Sequence, residues 1–216
     1  MSKYIWGVDS AQKVTDELIN CVNTNYGKPF FWGRYLTTVK NVSDGLNFTE
    51  IKLIHQRNIK IMPIYNDFKT AVGYKNGQLV ARNSIFNAGR LGIPKGTFIF
   101  VNIEDFFKVD EAWIRGLVDT FYSSNYRPGL YCYPKTGEFS SAFCEATKNS
   151  ERVRIQTVLW SAEPTPGISK EKDAPKYNPA SPPCETNSWA WQYGRDSKVC
   201  PIDTNLIDYR VYDNLW

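Results

Sequence analysis

The sequence predicts an α/β protein built as a single TIM-like barrel, with five β/α units followed by three strands with little helix. Three observations point there. Short apolar runs alternate with amphipathic stretches through the first two-thirds of the chain, at the scale of repeated βαβ crossovers. After residue 150 strand-like runs continue, but no convincing helix separates them. The 216 residues contain no linker or low-complexity tract, and that length suits one sizeable core, so residues 1–216 are read as one domain.

In order, "YIWGV" is the first strand, followed by "TDELINCVNTNYG", where Asp16 and Glu17 suit the first turn of a helix. "PFFWGRYL" precedes the helical "NFTEIKLIHQRN", in which His55, the only histidine, is an ordinary helix residue. "IKIMPIY" leads to "LVARNSIFNAGRLG", which ends on a glycine suited to a helix C-terminus. "TFIFVNI" precedes "DEAWIRGLVDTFYSSN", and "PGLYCYP" precedes "GEFSSAFCEATKN". The last three strands are read at "IQTVLWSA", "SWAWQYG" and "LIDYRVYDNLW". Between the first two of these lies a Pro-, Lys- and Ser-rich stretch, "EPTPGISKEKDAPKYNPASPPCETN". It is either a surface excursion or a wall of a cleft.

Composition excludes several classes. A net charge of +4, scattered along the chain, does not argue for nucleic acid, but it is compatible with an anionic polymer such as a bacterial cell wall. No apolar run reaches the roughly 20 residues of a membrane span. "MSKYIWGVDS" has no basic, apolar and cleavage-site succession. That predicts a chain that is cytoplasmic as made, reaching a wall only by a non-classical or phage-type route. Nucleotide-binding, acyl-transfer and metal motifs are missing, so neither cofactor nor metal is expected. Five cysteines form no CxxC pair. Cys184 and Cys200 bracket a strand and could meet as a disulfide, whereas the odd count and the lack of a signal favour reduced thiols.

Active sites of such barrels sit where parallel strands end. The ends deliver Asp9; Arg34; Tyr65; Asn102 and Glu104; Tyr133; Trp160; Gln192 and Tyr193; and, before the last strand, Asp203 and Asn205. Side chains alternate along a strand, so in "FIFVNIED" Phe98, Phe100, Asn102 and Glu104 share one face, and Ile99, Val101 and Ile103 the other. The face carrying an amide and an acid should point into the barrel mouth. The same alternation groups Asp9 with Ile5 and Gly7, where the glycine leaves room near the axis. Converging carboxylates are what glycosidic cleavage needs, one protonated to supply the leaving oxygen and another ionised to face the cationic centre. Glu104 is the expected acid, with Asp9 and Asp203 as its partners and the remaining residues lining the cleft. Ordinary roles stay open as well: Asp9 or Asp105 as helix caps, Asp203 as a turn residue.

Taken together, "WGVDSAQ", "FFWGRYL", "FIFVNIED", "RPGLYCYP", "VLWSAE", "WAWQYG" and "IDTNLID" resemble the glycoside-hydrolase-like barrels once labelled domain of unknown function 1906. Those are relatives of the glycoside hydrolase family 25 lysozymes. The resemblance runs from Trp6 to about Tyr209 and implies hydrolysis of a peptidoglycan-type polysaccharide by a monomer. It matches Asp9 to the acid ending the lysozymes' first strand. It matches Asn102-Ile103-Glu104 to their Asp-x-Glu, and Trp191, Gln192, Tyr193, Asp203 and Asn205 to a Trp-Gln-Tyr strand with an Asp-x-Asn turn. Asn102 is a departure, standing where the lysozymes carry Asp. An amide cannot act as a carboxylate partner, though it could orient a substrate acetamido group. A glycan-binding pseudoenzyme is therefore the alternative reading.

Overall fold

In the computed structural model, which describes residues 4–216, eight strands close into a barrel in chain order. They are β1 (Tyr4–Asp9), β2 (Phe31–Tyr35), β3 (Lys60–Tyr65), β4 (Phe98–Asn102), β5 (Arg127–Cys132), β6 (Val158–Ala162), β7 (Asn187–Gly194) and β8 (Asp203–Asp208). The helices are α1 (Asp16–Asn25), α2 (Phe48–Gln56), α3 (Tyr74–Arg90), α4 (Glu111–Tyr122), α5 (Phe139–Asn149), α6 (Glu151–Gln156) and α7 (Tyr209–Tyr212). The absence of an export signal was read partly from residues 1–3, which lie outside the described range. No helix among the described residues is long and apolar enough to cross a membrane.

β1 to β7 run parallel, and β8 runs antiparallel to both β7 and β1. That reversal brings the start of β8, with Asp203 directly opposite Asp9, to the rim where the other strands end. Polar caps fix the helix starts: Thr15, Asn47 and Asp110 accept from backbone N–H groups of α1, α2 and α4. None of the caps is Asp9 or Asp105.

The alternation predicted for β4 holds around the barrel. Phe31, Met62, Ile64, Phe98, Phe100 and Trp160 belong to an inner cluster, while Val8, Trp32, Ile61, Ile99 and Val101 pack beneath the helices. Gly7 is needed where it was expected, because a Cβ there would stand 2.4 Å from the Phe31 ring.

Three readings are corrected. Ile155 and Gln156 belong to α6 and not to the sixth strand. The terminal "LIDYRVYDNLW" is strand only to Asp208. Beyond it, α7 and the final residues plug the barrel floor, with Trp216 exchanging backbone hydrogen bonds with Ile61 and Val211 and Leu215 joining the inner cluster. The Pro-rich stretch is not a wall of the central cavity. It substitutes for a helix over β1 and β7, stacking Tyr177 on Tyr4 with ring centroids 3.9 Å apart and setting it edge-on to Trp191.

The thiols are also corrected. Cys184 and Cys200 do not pair with each other. Cys21 joins Cys200, Cys144 joins Cys184, and Cys132 is left as a buried thiol. Sequence spacing cannot foresee this, because Cys21 meets Cys200 only through barrel closure, across 179 positions.

Candidate active site

At the strand-end rim a cavity of about 80 Å³ is lined by Asp9, Asn102, Glu104, Trp160, Gln192 and Asp203, together with Tyr35, Ile64, Tyr131 and Arg195. The three acids expected to converge therefore do so. Asp9 and Glu104 reach the rim from parallel strands, and Asp203 reaches it because β8 is reversed. Gly33, paired with Asp9, makes this possible: a Cβ on residue 33 would stand 2.6 Å from the Cβ of Asp9.

Asp9 is buried and held by amides. Asn205 Nδ2 donates to its Oδ2 at 2.7 Å, and Gln192 Nε2 donates to the same oxygen at 3.1 Å. Trp160 Nε1 donates to Asn205 Oδ1 at 3.0 Å, which fixes the amide orientation. Gln192 Nε2 also donates to Asp203 Oδ2 at 3.0 Å. One nitrogen thus bridges two carboxylates on facing strands. Burial pushes the Asp9 carboxyl above its ordinary range, partly offset by the hydrogen bonds from Asn205 and Gln192. Burial, reinforced by the charge of Asp9, pushes Asp203 up to about 8. Each charge opposes the ionisation of the other, so the two acids titrate as a pair.

Glu104 stands apart from this pair, half-buried. Asn102 Nδ2 donates to its Oε1 at 2.9 Å, and the Tyr133 hydroxyl donates to its Oε2 at 3.2 Å. The neighbouring Asp105 is exposed, facing away as the alternation implied. Asn102 Oδ1 is buried with no hydrogen-bond partner among the described residues. A buried carbonyl oxygen without a donor is costly, and it calls for an N–H or O–H that reaches it, from water or from a ligand.

Of the residues predicted to line the cleft, Asn102, Trp160 and Gln192 do so, Tyr133 touches Glu104, and Asn205 orients Asp9. Arg34, Tyr65 and Tyr193 are not there. Arg34 is fully buried under the barrel wall, its Nε 2.6 Å from Glu50 Oε1 and its Nη1 2.6 Å from the carbonyl of Ser10. It clamps the loop that follows Asp9. Tyr65 lies beneath the helices, stacked against Phe68, while its neighbour Ile64 takes the inward position. Tyr193 also points outward, its hydroxyl accepting from Trp6 Nε1 at 2.9 Å. In each case pleating excludes the residue, because an adjacent position already faces in.

Four lining residues were not predicted as site residues: Ile64, Tyr35, Tyr131 and Arg195. The Tyr131 hydroxyl donates to Gln192 Oε1 at 2.7 Å and accepts from Arg195 Nη2 at 2.7 Å. Arg195 also makes a short contact to the Tyr133 hydroxyl. Tyr35 shares the inward parity of Phe31 and Gly33, a signal present in the sequence. Arg195 follows the end of β7, where parity no longer applies.

An eight-stranded barrel with a reversed last strand and acids gathered at its open rim is a glycoside-hydrolase-like barrel. The chain belongs to the Rv2525c-like, glycoside hydrolase-like domain family, whose profile matches residues 30–206. An uncharacterized protein of B. stearothermophilus is 57% identical, with a TM-score of 0.96 over 98% of this chain and 100% of that one. The family GH25 lysozyme of Aspergillus fumigatus shares the fold at 13% identity, with a TM-score of 0.53 over 95% and 94% of the two chains. The modular autolysin LytC of Streptococcus pneumoniae, solved with a synthetic peptidoglycan ligand, does so at 12% identity, with a TM-score of 0.57 over 94% of this chain and 46% of that one. No curated protein matches the sequence.

Proposed function

We propose that this chain is a glycoside hydrolase acting on a peptidoglycan-type glycan. The observation that carries the reading is the meeting of Asp9, Glu104 and Asp203 in one cavity, beside an Asn102 oxygen lacking a donor. Glu104 is the acid/base. As the glycosidic C–O bond breaks, the proton of Glu104 passes to the leaving oxygen. Water then adds to the anomeric carbon and returns a proton to Glu104. The Asp9/Asp203 pair presents negative charge to the oxocarbenium-like centre or holds the attacking water. Asn102 Oδ1 accepts the N–H of a substrate acetamido group, while its Nδ2 holds Glu104. The two disulfides fit work outside the reducing cytosol.

The test is to incubate the protein with purified peptidoglycan and count new reducing ends, beside Glu104→Gln. Loss of roughly 10²–10⁴-fold in the variant is expected; equal rates would remove Glu104 from the mechanism. The amide at position 102 favours a second reading, a chain that binds glycan without cutting it. Retention on peptidoglycan with no new reducing ends, unaltered by Glu104→Gln, would select that reading.

A further inference from the structure

We propose that Arg195 forms the subsite for a carboxylate carried by the glycan, so that the cavity selects an acidic sugar over its neutral counterpart; this rests on the glycan-binding reading above. Among the described residues, Arg195 is the one cationic side chain lining a cavity that also holds three acids. Its charge acts on Asp9 and Asp203 from a distance, yet among the described residues no carboxylate pairs with it. Its contacts are instead the hydroxyls of Tyr131 and Tyr133, both reached through Nη2, with the guanidinium carbon 5.2 Å from the centre of the Tyr133 ring. Nε and Nη1 make no hydrogen bond and are not sealed from solvent.

Two tyrosines therefore occupy Nη2 and leave the N–H groups of Nε and Nη1 as spare donors. Both parallel forks of a guanidinium run through Nη2, so a carboxylate meets Nε–H or Nη1–H through a single charge-assisted hydrogen bond. Because the tyrosines immobilise the side chain before the ligand arrives, little entropy is lost on binding. A wall made only of Asp9, Glu104 and Asp203 would repel an acidic sugar, and Arg195 reverses that sign at one edge of the cavity. The shared ligand chemistry is a carboxylate close to a sugar ring, whether as a lactyl ether or as a uronic acid.

Binding is measured calorimetrically in the Glu104→Gln background, so that turnover cannot consume the ligand, and repeated with the native chain. The probes are an N-acetylglucosamine–N-acetylmuramic acid tetrasaccharide, its carboxyl-reduced derivative, an oligoglucuronan and its carboxyl-reduced derivative. The acidic member of at least one pair is expected to bind roughly ten- to a hundredfold more tightly than its reduced partner, the range of a charge-assisted hydrogen-bonded pair. Which pair shows the preference identifies the source of the carboxylate. In Arg195→Met that ratio should fall to near one, and Arg195→Lys, which keeps the charge but cannot be held by both tyrosines while donating to a ligand in the same direction, should fall between. Equal binding of acidic and reduced members to the native chain overturns the subsite while leaving the hydrolase reading standing. So does a ratio that survives Arg195→Met in a folded variant. Failure of every glycan to bind overturns both.

Discussion

Asp203→Asn separates the mutual repulsion of the Asp9/Asp203 pair from ordinary packing. In the folded chain Asp203 is pushed up to about 8 by burial and by Asp9, against an ordinary value of 3.8. An acid whose folded-state pKa lies above its unfolded value binds its proton more tightly when folded. Its contribution to stability is therefore fully present below pH of about 4 and is lost as pH rises through about 8. At about 1.4 kcal/mol per unit the whole displacement would be worth about 6 kcal/mol. Asp203 is only partly buried, and part of the rise is repulsion that disappears when Asp9 holds the proton instead. An effect of about 2–3 kcal/mol between pH 5 and pH 9 is the expectation. The asparagine has no charge to desolvate. It keeps an oxygen for the Asp196 N–H, now 2.7 Å from Asp203 Oδ1, but loses the acceptor facing Gln192 Nε2, a pH-independent cost of about 1 kcal/mol. Urea titrations at the two pH values should find the variant slightly weaker than the native chain at pH 5 and stronger at pH 9. Profiles that stay parallel within about 0.5 kcal/mol would refute the paired titration, since the lost hydrogen bond alone carries no pH dependence.

Two further predictions concern the scaffold. A Cβ on Gly116 would stand 2.1 Å from the Tyr74 carbonyl oxygen, and one on Gly77 2.0 Å from that of Trp113, so α3 and α4 touch backbone to backbone. Gly116→Ala should therefore cost about 1–3 kcal/mol despite the better helix propensity of alanine, and should lower the melting temperature by roughly 2–10 °C; a rise would show that the helices can part freely. Reducing both disulfides frees loops of 179 and 40 positions, with a chain-entropy value of about 4–5 kcal/mol each at most. A melting temperature unchanged by reductant, with thiol titration proving both bonds open, would show that they contribute nothing.

How far the sequence reaches is visible at β4. There Asn102 and Glu104 could be aimed inward from pleating alone, because an apolar strand buried on both faces has only one parity that carries polar groups. The same rule, applied to β2, β3 and β7, places Gly33 and Tyr35, Ile64, and Gln192 inside, and so removes Arg34, Tyr65 and Tyr193 from the cleft. Those three misplacements came from reading strand ends by residue type without parity. Arg195 was beyond reach for a different reason. It lies past the end of a strand, where a loop, Tyr131 of β5 and Tyr133 just beyond that strand decide its direction.

By itself the sequence determined the order of the eight strands and of the first five helices, the closure of a barrel and the inward face of the strand that leads to Glu104. Each of these follows from local periodicity, which a few neighbouring residues enforce. Only the tertiary structure decided that β8 runs backwards, that Cys21 meets Cys200, and that one Gln192 nitrogen serves both Asp9 and Asp203. Those facts join residues 179, 183 and 11 positions apart, and no local preference encodes which distant partner will fill the space when the ring closes.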